Sequence, residues 1–292
     1  MGQRYYDSII QLQHVKIHIY DPLLKNNTDY ENILNNLEVN FIIDLAIIAT
    51  CADVRFEVTN NLISKNKNIK NILFEKFLFL KKTHYIKIEK LLILNKINAW
   101  VNCTRRLYDC YDYIKNKLGD GNDIKMIVIG EEWGLCSNSI HFIDIYHYLS
   151  KNSIGNLHIK NTEIIKSKRD GFYDMLGHIY TNDNKLNIIC VPKTNNNVIF
   201  AKKIWNKEYV FVILNYDNIL HLVEHNIKNN KFNTRTFKMP FLSEIAKNFV
   251  ENILNDKKIN LPTFTESMKY HLKLLKLFSN QFIKNNIDIK FT

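Results

Sequence analysis

A glycine and an aspartate near the start of the chain have the spacing of a dinucleotide-binding turn. Gly2 opens a helix-like run, and Asp21, 19 positions later, ends the β-rich segment His14–Asp21. In a dinucleotide fold a glycine-rich turn brings the pyrophosphate to a helix N-terminus, and an acid about 20 residues further on binds the ribose hydroxyl. The spacing favours Gly2, Gln3, Arg4 and Asp21 as cofactor ligands. The alternative left open is a chance glycine and an aspartate that only ends a strand.

The elements that would position these residues alternate in the first third of the chain. Val39–Thr50 is nearly continuous apolar sequence, as expected for a strand buried on both faces. Asn71–Phe79 and Ile97–Cys103 are two further predicted strands, and Asp53–Lys65 is a predicted helix with Asp53 as its N-cap. Strands that alternate with helices predict a parallel, doubly wound sheet.

The rest of the chain has a different pattern. Asp123–Glu131 is a predicted strand and Ser139–Lys151 a predicted helix, and strand-like runs separated by turn residues follow from about residue 156 to 240. We therefore predict an α/β fold with two domains. Residues 1–100 form a Rossmann-type parallel sheet domain, and residues 101–292 an α+β domain with a large, open, mostly antiparallel sheet, with the option that the C-terminal helix packs back on the first domain.

Composition and cysteine usage limit the compartment. No run of 18 apolar residues could span a membrane, and the first ten residues lack the apolar segment of a secretory signal. The five cysteines are odd in number and no two are spaced C-x-x-C, so a disulfide framework or a zinc site is not expected. We expect a cytoplasmic protein without a metal.

The net charge of +11 raises the question of a polyanionic partner. The lysines are spread among Asn and Ile residues, and no helix-turn-helix, zinc or aromatic–basic signature accompanies them. A solvated basic surface is the preferred interpretation, and binding to nucleic acid is disfavoured. Attraction to an anionic substrate such as a nucleotide sugar is the alternative.

Four segments resemble successive motifs of the Gfo/Idh/MocA oxidoreductase family, in the family's order and at its spacing. They are DLAIIATCADVRFEVTNNLI, NILFEKFLF, WVNCTRRLYDCY and GLCSNSIHFIDIYHYL, and the likeness extends to LPTFTESMKYH near the end. The resemblance implies hydride transfer between a nicotinamide and a hydroxyl or keto carbon of a sugar or nucleotide sugar, with surface-carbohydrate biosynthesis as the expected context. It also implies a homodimer or homotetramer. NAD is expected rather than NADP, because Asp21 would repel a 2′-phosphate.

The family motifs fall on particular residues of this chain. Lys76 matches the active-site lysine and His141 the histidine that acts as general acid and base, so the two are expected to meet beside the nicotinamide ring. The competing interpretations are a surface lysine at a strand end and a structural histidine. The remaining residues are expected to contact the cofactor or the substrate. The cofactor set is Thr50, Cys51, Ala52 and Glu75, and the substrate set is Asn102, Arg105, Arg106, Trp133 and Asn138.

The chain departs from the family pattern in three places. Phe77 stands where the family has a proline after Lys76, and a cis peptide before a non-proline residue costs about 2.5–4 kcal/mol. Ser137 stands where the family has an aspartate four residues before His141. The first strand and most of the glycine motif are expected to be missing, as in an N-terminally truncated gene. These departures favour the alternative of a catalytically inactive or truncated family member that acts as a binding or structural module.

Overall fold

The computed structural model describes residues 1–24, 30–119, 123–150, 153–194 and 200–291. Within these residues the chain folds into two compact units, each made of two chain segments. The first unit comprises Met1–Asn102 and Phe241–Phe264, and the second comprises Cys103–Pro240 and Thr265–Thr292. In chain order the α-helices are α1 (Gly2–Ile9), α2 (Ala52–Lys65), α3 (Lys82–Leu94), α4 (Asp109–Leu118), α5 (Leu135–Ser150), α6 (Leu242–Leu254) and α7 (Phe264–Lys284).

The first unit contains a three-stranded parallel sheet. Its strands are β1 (Ala46–Ile48), β2 (Asn71–Phe74) and β3 (Asn98–Val101), in the order β1-β2-β3. All four residues of β2 are buried, as expected for a central strand covered on both faces. Helix α2 connects β1 to β2, and α3 connects β2 to β3, so both connections are the crossovers that parallel strands require. Helix α6 packs against α1, and its Lys247 backbone N–H donates to Ser8 Oγ at 2.9 Å.

Two predicted strands of the first unit are corrected. In His14–Asp21 the only pairing among the described residues is a single bridge between Ile19 and Ile33, so the segment is not a ladder strand. In Val39–Thr50 only Ala46–Ile48 is a strand, and Ile42 is 57% exposed. An apolar run predicts burial only if neighbouring strands cover it, and the described neighbour of β1 is β2 alone.

The second unit contains a sheet with eight described strands. The strands are β4 (Lys125–Glu131), β5 (Leu157–Lys166), β6 (Tyr173–Thr181), β7 (Leu186–Val191), β8 (Phe200–Trp205), β9 (Tyr209–Tyr216), β10 (Ile219–Asn226) and β11 (Lys231–Lys238). Their order is β11-β10-β9-β8-β4-β7-β6-β5, and the β4–β7 pair is parallel while the other pairs are antiparallel. The predicted fold class, a parallel sheet with helices and a second, large, mostly antiparallel sheet, is confirmed. The simple meander is corrected, because β4 is inserted between β7 and β8.

Helices α4 and α5 and the short 3-10 helix Thr104–Leu107 contribute to the core of the second unit. Helix α5 begins at Leu135, four residues before the predicted start, and its predicted last residue, Lys151, lies outside the described residues. Helix α4 was not predicted from the sequence, although the spacing of its four buried residues is that of an amphipathic helix. No helix in the described part of the chain is long and apolar enough to cross a bilayer.

Candidate active site

The turn that follows β2 carries the predicted catalytic lysine. Strand β2 ends at Phe74, and Glu75, which comes next, is only 3% exposed. The Glu75 carboxylate oxygen Oε1 accepts hydrogen bonds from the Tyr5 hydroxyl at 2.8 Å and from Asn102 Nδ2 at 2.5 Å. Lys76 is half-buried, and the Lys76–Phe77 peptide bond is cis although Phe77 is not a proline. The carboxyl end of β2 is therefore followed by a turn that buried hydrogen bonds hold in place, and Lys76 lies in this turn.

A buried arginine that the sequence did not single out holds this turn from the other side. Arg55 of α2 is 1% exposed, and its guanidinium donates to the carbonyl oxygens of Phe77 and Leu78 and to that of Thr50. Burial lowers the pKa of Arg55 to about 10, against the opposing effect of Glu75. The one sequence feature that could have singled out Arg55 is its place among the buried positions of the predicted helix. Arg55 therefore ties the turn after β2 to the carboxyl end of β1.

The carboxyl end of β1 leads directly into α2. Cys51 is the N-cap residue of α2 and makes no side-chain capping bond, and Ala52, the first helical residue, is 1% exposed. The Thr50 Oγ1 atom is buried and has no hydrogen-bond partner among the described residues. A helix start without a side-chain cap leaves backbone N–H donors for an anion, so these residues fit the phosphate group of a dinucleotide.

The predicted ligands in the first 21 residues lie on α1 and in a turn. A Cβ built on Gly2 would lie 3.9 Å from the Ala49 Cβ, an ordinary contact, so packing there does not demand glycine. Gln3 Nε2 donates to Asp7 at 2.6 Å, and its Oε1 accepts from a tyrosine hydroxyl, while Arg4 is exposed. Asp21 Oδ1 accepts from the backbone N–H two residues ahead at 2.9 Å. Asp21 therefore stabilises a turn rather than ending a strand.

Helix α5 in the second unit carries the predicted catalytic histidine. His141 is 8% exposed and lies four residues after Ser137, so the two share a face of the helix. The carboxylate of Asp174, a β6 residue that is 6% exposed, accepts from Ser137 Oγ at 2.5 Å and from the Cys136 backbone N–H at 2.7 Å. A carboxylate from a distant strand therefore lies beside the serine that replaces the family's aspartate. The sequence analysis missed Asp174, because a contact across 37 residues leaves no local signal.

Two adjacent arginines have opposite surroundings. Arg106 donates to both carboxylate oxygens of Asp144, at 2.7 and 2.6 Å, and to Glu266 at 2.6 Å. Arg105 lies with its guanidinium carbon 4.2 Å from the centre of the Phe142 ring, and no described oxygen accepts a hydrogen bond from it. Arg106 thus has the contacts of a residue that holds the structure together. The N–H groups of Arg105 have no acceptor among the described residues.

Two other predicted substrate residues contact each other. Asn138 Nδ2 donates to the Trp133 carbonyl at 2.7 Å, and the Trp133 indole N–H donates to the Ile189 carbonyl at 3.0 Å. The Trp133 ring also lies edge-on to Phe142. These contacts are internal to the second unit. The joint action of Lys76 and His141 on one substrate stays a prediction.

Comparison with solved structures shows that this chain shares its fold with known proteins. No protein-family model and no curated protein matches the chain. Solved structures do match. A super-repressor mutant of Gal80p from Saccharomyces cerevisiae matches with a TM-score of 0.70 over 97% of this chain and 93% of that chain, at 15% identity. The dehydrogenase MviM from Clostridium difficile matches with a TM-score of 0.59 over 82% and 79%, at 16% identity.

A sugar-nucleotide dehydrogenase is among the matching structures. UDP-N-acetylglucosamine 3-dehydrogenase GnnA from Acidithiobacillus ferrooxidans matches with a TM-score of 0.60 over 80% of this chain and 77% of that chain, at 11% identity. The fold of this chain is therefore one that known dehydrogenases and a known repressor share, and at these identities the likeness extends to the fold and no further.

Proposed function

We propose that this chain is a nicotinamide-dependent oxidoreductase of the Gfo/Idh/MocA type that acts on a sugar or nucleotide sugar. The observation that carries the proposal is the turn at the carboxyl end of β2, where hydrogen bonds of Glu75 and Arg55 hold the segment that contains Lys76. Ligands of doubly wound sheets bind at the carboxyl ends of the strands. Dehydrogenases with this fold lend support.

The cofactor we propose is NAD. The uncapped start of α2 at Cys51 and Ala52 would receive a phosphate, and Thr50 Oγ1 would gain a hydrogen-bond partner. The bound nicotinamide would supply the hydride acceptor. The preference for NAD over NADP rests on Asp21 and is part of the proposal.

The protein side of the reaction concerns one oxygen atom of the substrate. The Lys76 ammonium would donate a hydrogen bond to the reacting oxygen, and the His141 imidazole would take up its proton on oxidation or return it on reduction. Asp174 would act as a positioning residue, since its hydrogen bonds fix Ser137 and the start of the helix that carries His141.

The test is hydride transfer followed at the NADH absorbance band, with UDP-N-acetylglucosamine and simple uronic acids as probe substrates. We expect turnover by the purified chain and a loss of about 10²–10⁴-fold in kcat for Lys76→Met. Lys81→Met, an exposed lysine five residues further on, is the matched control and should retain full activity. Equal rates for the two variants would refute the catalytic role of Lys76.

A second candidate is a regulatory binding module without catalysis. It is favoured by the match to Gal80p, a repressor mutant, and to a Gal80p described as a transcriptional regulator from a second yeast. Such a module would bind NADH and transfer no hydride to any probe substrate. The same assay therefore separates the two functions.

We further propose that the protein acts in the cytoplasm as a homodimer or homotetramer. None of the five cysteines, which all lie in the described part of the chain, is in a disulfide: Cys51, Cys103, Cys110, Cys136 and Cys190. The sheet of the second unit exposes large apolar side chains, with Tyr216 62% and Phe232 64% exposed. Light scattering coupled to size exclusion would give the molar mass, and a mass of one chain, 34.6 kDa, would contradict the oligomer.

A further inference from the structure

Lys202 of β8 is a buried lysine without an acceptor. It is 4% exposed and lies opposite Val128 of β4 and Ile213 of β9, on the face of the sheet that the core covers. Its ammonium nitrogen lies 5.0 Å from the centre of the Phe200 ring and 6.0 Å from that of Tyr111. Within the described part of the chain no oxygen accepts a hydrogen bond from this ammonium. Among the described residues, the closest contacts recorded for this cation are the rings of Phe200 and Tyr111.

Arg105 belongs to the same cluster. The Phe142 ring under its guanidinium lies 5.6 Å from the Phe200 ring, which in turn lies beside the Lys202 ammonium. Burial, and then the charge of Arg105, lowers the pKa of Lys202 to about 7. Two cations therefore face one aromatic-lined region of the second unit.

The other titratable groups at this cluster provide no negative charge at neutral pH. Burial raises the pKa of the Cys110 thiol to about 12 and raises the pKa values of the Tyr108 and Tyr111 hydroxyls. The nearby carboxylates of Asp144 and Glu266 are engaged by Arg106. Cations buried without a counter-charge are costly, so a ligand anion would relieve a cost that the protein already bears.

We propose that Lys202 and Arg105 form a receptor for an anionic group of the substrate, a carboxylate or a phosphate. The guanidinium would bind two oxygens of the anion. The ammonium, as a point charge, would bind a third oxygen of a phosphate or share one of the two oxygens of a carboxylate. The proposal rests on the proposed function, which it narrows to acidic sugars and sugar phosphates. Neutral sugars would bind more weakly because they leave both cations unpaired.

The test is a series of thermal melts with sodium sulfate, inorganic phosphate and glucuronate, each against sodium chloride at equal ionic strength. The wild type and Lys203→Met should show the same rise in Tm with at least one of these anions. Lys203 is the adjacent, exposed residue on the opposite face of β8 and is therefore a matched control for charge. Lys202→Met should lose this rise, with an apparent affinity at least about tenfold lower. Sulfate also stabilises proteins generally, so the difference between the two methionine variants is the decisive quantity.

A second variant guards against a folding effect at position 202. Arg105→Lys keeps the charge and removes the planar fork, so it should weaken binding of the same anion while the melt without added anion stays cooperative. Sulfate and phosphate report on the tetrahedral anion and glucuronate on the carboxylate, so the responding probe identifies the group.

The outcomes separate this inference from the proposed function. Equal shifts for Lys202→Met and Lys203→Met, or no shift of the wild type with any of the three anions, would overturn the receptor. NADH binding with no anion response would overturn the receptor alone. A rise in Tm with an anion but no binding of NADH would support the anion receptor and contradict the proposed oxidoreductase function.

Discussion

Two buried cations, one in each unit, differ in their partners. Arg55 in the first unit donates to three backbone carbonyls, those of Thr50, Phe77 and Leu78. Lys202 in the second unit is nearly as buried and has aromatic rings but no described acceptor around it. The comparison teaches that burial alone does not assign a role to a charged residue. Arg55 donates to backbone carbonyls and holds a turn, whereas Lys202, without a described acceptor, is the candidate for binding a ligand.

The same contrast occurs between two neighbours in sequence. Arg106 is paired with Asp144 and Glu266, whereas Arg105 stacks on Phe142. From the sequence, one of the two arginines was expected to contact the substrate, with bracing of the domain junction as the other role, and the motif did not say which arginine had which role. Their contacts in the structure distinguish Arg106, which is held by carboxylates, from Arg105, which is a candidate ligand-binding residue.

The largest effect is expected on removal of the satisfied cation. Arg55→Met leaves three carbonyl groups without their donor, each costing about 1–3 kcal/mol, so the free energy of unfolding should fall by about 3–5 kcal/mol. Lys65→Met, an exposed lysine in the last turn of the same helix, should change it by less than about 0.5 kcal/mol. Urea unfolding measures both. If Arg55→Met lowers the free energy of unfolding no more than Lys65→Met does, the structural role of Arg55 is wrong.

The opposite sign is expected for the unsatisfied cation. Lys202→Met removes a buried charge, so without added anions the variant should be more stable than the wild type by on the order of a few kcal/mol at pH 6. The folded-state pKa of Lys202, about 7, lies below the unfolded value of 10.5, so the unfolded state binds more protons between them. Wild-type stability should therefore rise relative to the variant from pH 7 to about 10.5. Because Arg105, Tyr108, Cys110 and Tyr111 are present in both proteins, the difference isolates Lys202.

A stability difference between the wild type and Lys202→Met that does not vary with pH would contradict the lowered pKa of Lys202. Parallel melts of Lys203→Met, which replaces an exposed lysine of the same strand, serve as the control.

A smaller effect is expected at the start of α5. Asp174→Asn weakens the acceptor of the Cys136 N–H and of the Ser137 hydroxyl, and caps of this kind contribute about 0.5–2 kcal/mol. If Asp174 also positions His141, the variant should shift the acidic limb of the kcat/KM pH profile, which a purely structural cap would leave in place. Asp170→Asn, at an exposed position, is the control. An unchanged melt and an unchanged profile would remove Asp174 from the account.

The sequence predicted the elements whose patterns are local. The alternation from β1 to β3 and the turn-separated strands after residue 156 follow from apolar periodicity and turn residues, which neighbouring positions determine. Contacts between distant segments could not be predicted in the same way. The insertion of β4 between β7 and β8, the approach of Asp174 to Ser137 and the different surroundings of Arg105 and Arg106 all depend on tertiary packing.

The predicted site shows the same division. Lys76 and Glu75 were predicted from a short motif in a strand context. Arg55, which holds their turn, lies in a helix whose sequence carries no such motif. His14–Asp21 shows the converse error, because a β-rich run without paired neighbours does not become a strand.

The most direct test of the central claim is an NADH titration of the purified chain, followed by the emission of the nicotinamide and by the melting temperature. We expect saturable binding, with a rise in Tm that grows with NADH concentration because the ligand binds the folded state. We also expect that Ala52→Asp, which places a carboxylate at the start of α2, weakens this binding. Absence of any emission change or melting shift at millimolar NADH would contradict the assignment of this chain as a nicotinamide-dependent oxidoreductase.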